Sequence, residues 1–283
     1  MQTQPLTFVS ASPAPSFGRP SGAAASGGIP SPVFHDAGRP EAPALVRQDL
    51  ETEGIAFLEG LEAEEDALAL ARSLGEIFPH RDSEPSGLTR ILCRAAIARE
   101  PGFKGFSADA LFPHTDQSCL EEPALFLLQV CREQAGTGGS AVLVDGRELY
   151  RDLARSFPEL LGYLSGPRAA MFSDGRNSHC GAIFQAVEAG GIAVRFRYDS
   201  CGFFSPQLAP HIGYLLKLIE KHANRIDLHP GQAYIINNRW WLHGRESFLG
   251  EREMWRILLK AGTGPFAGAR PGFPIPESRL AVA

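Results

Sequence analysis

The apolar residues of this chain come in short runs, and none of these runs is longer than five residues. The longest, at positions 67–71 and 124–128, are far shorter than the ~20 residues that a membrane-spanning helix needs. Turn residues between the runs predict many short strands. Because these strands do not alternate regularly with helical segments, a doubly wound sheet is disfavoured. The pattern favours a β-rich (α+β) fold, with a closed or two-sheet core and flanking helices.

The spacing of apolar residues also predicts where individual elements lie. Apolar residues recur at helical spacing over positions 63–78, and acidic residues crowd the first turn, where they complement the helix dipole. Asp145 is typical of a helix N-cap and predicts a helix to about position 155. Further helices are predicted at 158–164 and 205–223, and strands at 124–131, 141–145, 192–198, 233–236 and 255–259.

Composition divides the chain into three parts. The first 40 residues hold seven prolines and five glycines but only three charged residues, a composition that buries too little apolar surface to offset chain entropy. We therefore predict a flexible extension, rich in Pro, Gly, Ala and Ser, over residues 1–42. A single globular domain is predicted over residues 43–265, and a C-terminal tail over residues 266–283.

Charge and cysteine content indicate the setting in which the protein works. With 27 basic and 32 acidic side chains, the net charge of −5 argues against a nucleic-acid partner bound through a broad basic face. The five cysteines are odd in number and include no CxxC pair, which is typical of free thiols in a reducing compartment. The sequence predicts a cytoplasmic protein that binds neither nucleic acid nor membrane, and it leaves a homo-oligomer open.

The strongest local signal for chemistry is the sequence His114-Thr115-Asp116. In an extended chain, residues i and i+2 point to the same face, so His114 and Asp116 can present an imidazole and a carboxylate to one metal ion. His243, which follows the apolar run at 233–236, is the best candidate for a third ligand. Two histidines and one carboxylate suit Fe(II), because they leave positions open for oxygen and an organic acid.

Two arginines follow His243 at a spacing that suits an anionic co-substrate. Arg252 and Arg256 are four residues apart and share one face of an extended chain. The guanidinium group is suited to fork-like binding of a carboxylate. The sequence therefore predicts a metal site with a carboxylate-binding arginine beside it.

Together these motifs resemble those of a known family. The HTD sequence at 114–116, GG-x4-VDG at 138–146, NNRxxLHGRxxF at 237–248 and RxxxR at 252–256 are similar to the Fe(II)- and 2-oxoglutarate-dependent oxygenases of the taurine dioxygenase and clavaminate synthase-like superfamily. The resemblance covers roughly residues 45–262. It implies a double-stranded β-helix, also called a jelly-roll or cupin-like barrel.

The resemblance also implies a reaction and its ligands. His114, Asp116 and His243 match the iron ligands, and Arg252 matches the arginine that pairs with the distal carboxylate of 2-oxoglutarate. Arg256 matches an arginine near the iron-bound or the substrate carboxylate, and which arginine is the main anchor stays open. The implied activity uses Fe(II), 2-oxoglutarate and O2 to hydroxylate an unactivated C–H bond of a small molecule, with release of succinate and CO2.

Some features depart from the family pattern or leave alternatives. Ala141 stands where a threonine that helps hold 2-oxoglutarate is common, and strand alternation points the neighbouring Ser140 to the other face. Asp199 follows a predicted strand and is a candidate partner for a cationic group on an amino-acid-like substrate of specialised metabolism. The alternatives are a desaturase or cyclase, an iron oxygenase of this fold that does not use 2-oxoglutarate, and a non-catalytic binding barrel.

Overall fold

The computed structural model describes residues 7–11, 32–94, 96–188, 190–261, 266 and 268–275. The helices are α1 Ala42–Thr52, α2 Glu64–Leu74, α3 Gly146–Ser156, α4 Pro158–Leu164 and α5 Ile212–Lys221, with short 3-10 helices at Lys104–Phe106 and Ala209–His211. The strands are β1 Val9–Ser10, β2 Phe34–Asp36, β3 Ile55–Glu59, β4 Glu76–Ile77, β5 Thr89–Ile91, β6 Leu111–His114, β7 Phe126–Glu133, β8 Thr137–Gly138, β9 Ala141–Asp145, β10 Ala170–Ser173, β11 Ser178–Gly181, β12 Phe184–Val187, β13 Gly191–Val194, β14 Gly202–Phe204, β15 Ala223–Ile226, β16 Ala233–Asn237, β17 Trp241–Arg245, β18 Phe248–Leu249, β19 Glu253–Lys260 and β20 Phe273–Pro274. Within these described ranges, the structure has no helix with the length and apolar character to cross a bilayer.

Two antiparallel sheets form the centre of the fold. The larger has the order β2-β3-β16-β7-β19-β4, and β5 also pairs with β19. The smaller has the order β15-β9-β17-β6. Only the pairing of β2 with β3 at the edge of the larger sheet is parallel among the described strand pairs. The strand-rich structure with flanking helices confirms the predicted β-rich (α+β) fold.

Strand alternation explains how the larger sheet is buried on both faces. In β16, Ala233 and Ile235 pack into one cluster with residues of α1 and α2, whereas Tyr234 and Ile236 pack into the other cluster with residues of β9 and β17. Successive side chains of a strand point to opposite faces, so one sheet serves two cores. The inner core lies against the smaller sheet, and the functional residues lie at one end of this inner layer.

Most predicted elements are confirmed, and two helix boundaries are corrected. The prediction for 63–78 was too long, because the helix ends at Leu74 and residues 76–77 join the larger sheet beside β19. A side chain at Gly75 would lie 2.7 Å from the carbonyl oxygen of Lys260, so glycine permits this close approach. The helix predicted at 205–223 is shorter, because Pro210 lies in a 3-10 turn and α5 begins only at Ile212.

The strand predicted at 192–198 also ends earlier than expected. β13 ends at Val194, and the chain then leaves the strand ladder. The backbone N–H of Arg195 donates to the carbonyl of Ile183, and that of Phe196 donates to the hydroxyl of Thr115. The second contact ties Phe196 to Thr115 of the HTD motif.

The domain boundaries and the flexibility of the extension stay predictions. Residues 1–6 and 12–31 of the extension, and residues 276–283 of the tail, lie outside the described residues. The described parts of both flanks pair with the domain: β1 with β14, β2 with β3, and β20 with β13. These flanking segments supply edge strands, a role that proline-rich composition does not reveal.

Candidate active site

The pairing of β6 with β17 brings the two predicted histidine ligands together. His114 lies opposite His243 in the strand register, and the centroids of their rings are 4.5 Å apart. Gly244 permits this pairing, because a side chain there would clash with the carbonyl oxygen of Leu111 and lie 2.9 Å from the nitrogen of Pro113. The structure thus joins residues that are far apart in sequence by an antiparallel strand pair whose register shifts between His243 and Arg245.

The three predicted ligands converge on one point. His114, Asp116 and His243 are buried, and one potential ligand atom from each lies within 4.8 Å of the others. Oδ1 of Asp116 is 3.4 Å from Nε2 of His114 and 3.8 Å from Nε2 of His243. Nδ1 of His114 lies 3.0 Å from the carbonyl oxygen of Phe112, which leaves Nε2 facing the other two ligands.

The electrostatics favour the protonation states that bind metal. Burial alone would raise the pKa of Asp116, but the charge of Arg256 and contacts with both histidines hold it well below its usual value. Burial, and then the neighbouring His114, lower the pKa of His243 to about 3. At neutral pH the site therefore offers a carboxylate and, from His243, a neutral imidazole.

Asn238 positions the carboxylate ligand, and sequence reasoning missed this role. Its side-chain oxygen accepts from the backbone N–H of Asp116 at 2.7 Å. Its amide nitrogen donates to the carbonyls of Asp116 and Ala124 at 3.0 and 2.9 Å. A fully buried asparagine directly after strand β16 could have drawn attention to it, because buried polar groups require partners.

Both predicted arginines line the same cavity as the three ligands. Nη1 of Arg256 donates to Oδ2 of Asp116 at 2.9 Å, while its Nε and Nη2 are buried without a hydrogen-bond partner among the described residues. The guanidinium of Arg252 stacks over Phe248 at 5.6 Å, and no described carboxylate lies within ion-pair distance of it. The unmet donors fit an anionic ligand beside the metal site.

The turn at Gly138 and Gly139 contributes close backbone packing to the site rather than a hydroxyl group for a ligand. A side chain at Gly139 would lie 3.1 Å from Nε of Arg252, so glycine lets the turn pack against this guanidinium. Ser140 donates instead to Asp227 at 2.6 Å on the exposed side of the strand. The structure therefore directs Ser140 away from the arginines, as alternation predicts.

Asp199 does not line the cavity. Its carboxylate accepts from Nε of Arg197 at 3.0 and 3.1 Å and from the backbone N–H of Cys201 at 2.9 Å. Burial would raise the pKa of Asp199, but Arg197 lowers it below its usual value. The side chain that reaches the cavity is that of Arg197, and its partner Asp199 is committed to it.

The cavity itself has a volume of about 260 Å³. It is lined by His114, Asp116 and His243 and by the loops around residues 79–82, 102–106 and 174–177. Arg245 donates to the carbonyls of Gly105 and Ser107, which ties the middle loop to β17. The arrangement suits a small organic acid and a second small molecule beside a metal ion.

Comparison with known proteins agrees with this geometry. The taurine catabolism dioxygenase TauD, TfdA family model matches residues 14–258. Comparison of the sequence with curated proteins found no match.

Three solved structures share the fold at low sequence identity. An asparagine oxygenase in complex with Fe(II), 2S,3S-3-hydroxyasparagine and succinate is 14% identical, with a TM-score of 0.59 over 77% of each chain. The non-heme iron oxygenase OrfP in complex with Fe and alpha-ketoglutaric acid is 14% identical, with a TM-score of 0.62 over 78% of this chain and 80% of that one. The PvcB protein from Pseudomonas aeruginosa is 17% identical, with a TM-score of 0.59 over 79% of this chain and 84% of that one.

These likenesses confirm the predicted double-stranded β-helix. The family match spans most of the chain, including all three candidate ligands and both arginines. The chain therefore belongs to the taurine catabolism dioxygenase TauD, TfdA family, and it is a dioxygenase that depends on Fe(II) and 2-oxoglutarate.

Proposed function

We propose that this protein hydroxylates an unactivated C–H bond of a small, amino-acid-like substrate and converts 2-oxoglutarate to succinate and CO2. The observation that carries the proposal is the convergence of His114, Asp116 and His243 in a cavity that two arginines also line. The volume of about 260 Å³ suits small molecules rather than a folded macromolecule.

Each residue has a distinct part in this proposal. His114, Asp116 and His243 hold Fe(II), and Arg252 pairs with the distal carboxylate of 2-oxoglutarate. Arg256 orients Asp116 through the bond at 2.9 Å and turns its unmet Nε and Nη2 toward a second carboxylate, that of the co-substrate or of the substrate. When bound, iron and 2-oxoglutarate supply the activation of O2 and the oxidising power for C–H cleavage.

The protein's own contribution is positioning. Asn238 holds the backbone of Asp116, and the carbonyl of Phe112 orients the ring of His114. Rigid ligands keep the site in one geometry, while the loop tied down by Arg245 closes one wall of the cavity. A fixed substrate position is what decides which C–H bond reacts.

The choice of an amino-acid-like substrate has support from two similar structures. One asparagine oxygenase structure contains 3-hydroxyasparagine, and one OrfP structure contains (3S)-hydroxy-L-Arg. The mixed charges on the cavity wall suit a zwitterion of this kind. Desaturation and cyclisation by the same site remain alternative outcomes, and the product distinguishes them.

The test is a screen for substrate-dependent succinate formation. Purified iron-loaded protein is incubated with 2-oxoglutarate, O2 and individual amino acids, and products are analysed by mass spectrometry. The proposal expects succinate release coupled to a product that has gained one oxygen atom. A product that has lost two hydrogen atoms instead would show a desaturase or cyclase and contradict the assignment of hydroxylation.

A further inference from the structure

The cavity that contains the candidate metal ligands is also lined by an acidic side chain that the proposed reaction does not use. Asp82 lines the cavity on the loop between β4 and β5, and its side chain is only 12% exposed. Its Oδ2 is buried and has no hydrogen-bond partner. A buried carboxylate oxygen without a donor is costly, so a role in binding is expected.

The neighbours of Asp82 leave this need unmet. Nδ1 of His80 lies 3.0 Å from Oδ2, but the same nitrogen accepts the backbone N–H of Asp82 at 3.3 Å. The ring is thus in close ion-pair contact with the carboxylate, but Oδ2 makes no hydrogen bond with it. Arg81 approaches Oδ2 only to 3.7 Å and donates instead to Asp174 at 3.1 Å, with its guanidinium stacked 4.2 Å above the ring of Phe103.

The other described acids that line the cavity are already engaged. Asp116 belongs to the metal cluster and pairs with Arg256. Asp174 accepts from Arg81 and from the backbone N–H groups of residues 176 and 177 at 2.9 and 2.8 Å. Among the described acids that line the cavity, Asp82 is thus the one with a buried carboxylate oxygen that makes no hydrogen bond.

Asp82 also carries its charge in this setting. Burial would raise its pKa, but contact with the His80 ring and the charges of Arg81 and Arg256 lower it below its usual value. Asp82 lines the same cavity as the three candidate metal ligands and Arg256. A substrate held by Asp82 therefore lies within the same chamber as the iron.

We infer that Asp82 determines substrate specificity by receiving a cationic nitrogen of the substrate, an ammonium or guanidinium group. This inference rests on the proposed function and moves the role considered for Asp199 to a different residue. Asp199 is occupied by Arg197 and Cys201 and does not reach the cavity. A cationic nitrogen of the substrate would donate the hydrogen bond that Oδ2 of Asp82 lacks.

The experiment uses ligand-observed saturation-transfer NMR on the protein with Fe(II) and 2-oxoglutarate, without oxygen. The probes are the standard L-amino acids, ornithine and agmatine, each compared with an analogue in which a hydroxyl or methyl group replaces the cationic nitrogen. We compare the wild type with Asp82→Asn, which removes the charge but keeps the size. Asp109→Asn is the matched control, since Asp109 is exposed and does not line the cavity.

The wild type is expected to bind at least one cationic probe and to reject its neutral analogue. Asp82→Asn should weaken that binding roughly tenfold or more, the effect of losing one hydrogen bond between charged groups, whereas Asp109→Asn should not. The inference is overturned if no cationic probe binds, if neutral analogues bind equally well, or if Asp82→Asn binds as tightly as the wild type.

A second readout separates this inference from the proposed function. The visible charge-transfer band of the iron and 2-oxoglutarate complex should be the same in the wild type and in Asp82→Asn. Absence of the band from the wild type would refute the proposed function, whatever the probes show. A normal band without selection for cationic probes would refute only the role of Asp82.

Discussion

Replacement of Arg252 by methionine tests which arginine anchors 2-oxoglutarate. In the structure this guanidinium stacks on Phe248, packs against the Gly139 turn and has no carboxylate partner among the described residues. Burial lowers the pKa of Arg252, so keeping its guanidinium charged without a bound carboxylate costs free energy. Methionine keeps an unbranched apolar stem like that of arginine and removes the guanidinium group with its charge and donors.

The size of the effect follows from the contacts that a carboxylate would make. Hydrogen bonds between charged groups contribute ~1.5–3 kcal/mol each, and a guanidinium can donate two of them. Allowing for partial compensation by water, the loss is about 3 kcal/mol, which weakens the Kd of 2-oxoglutarate roughly 100-fold. The melting temperature should stay the same or rise, because a buried charge without a protein partner is removed.

The assay is anaerobic titration of the Fe(II)-loaded variant with 2-oxoglutarate, followed by the charge-transfer band, with a thermal melt of the same sample. Arg256→Met is the comparison, because Arg256 bonds to Asp116 and its loss affects the metal ligand first. A Kd for Arg252→Met within about threefold of the wild-type value, a difference of under ~1 kcal/mol, would refute the assignment. A much larger loss in Arg256→Met than in Arg252→Met would make Arg256 the anchor.

Three further predictions concern the metal ligands and their strands. Arg256→Met should raise the pKa of Asp116. The affinity of this variant for Fe(II), measured in competition with a chelator, should therefore fall more steeply between pH 7 and pH 5 than that of the wild type. The pKa of His243 is about 3, below its unfolded value of ~6.5. Above pH ~6.5 the neutral imidazole of His243 costs the metal-free protein no free energy of unfolding. As the pH falls to 5, that free energy should drop by about 2 kcal/mol. Urea unfolding should show a smaller drop in His243→Asn. Gly244→Ala should force β6 from β17 and lower both the free energy of unfolding, by ~2 kcal/mol, and Fe(II) affinity, whereas Gly213→Ala, where nothing lies within 4 Å, should lower neither.

Two of the three candidate metal ligands could be predicted to lie together because their signal is local. The spacing of His114 and Asp116 is that of one face of an extended chain, and the structure places both beside His243. Strand β9 and helices α3 and α4 were also predictable, since apolar runs, an N-cap and Pro158 mark them directly. In each case a few adjacent residues contain the physical cause.

The remaining features depend on contacts that sequence reasoning does not see. Gly244 is needed only because β6 passes close to it, and Asn238 only because it bridges two distant segments. Asp199 resembles an unoccupied turn acid in the sequence, yet Arg197 pairs with it in the interior. The role inferred for Asp82 has no local signal either, because an oxygen without a hydrogen bond becomes visible only when its neighbours are known.

The central claim, that His114, Asp116 and His243 hold iron with 2-oxoglutarate beside them, has one most direct test. Purified protein is mixed with Fe(II) and then 2-oxoglutarate without oxygen, and the visible spectrum is recorded for the wild type and for His243→Ala. The account predicts a charge-transfer band in the wild type that is absent from the variant. A folded, iron-loaded wild type without the band, or a variant that keeps it, would contradict the account.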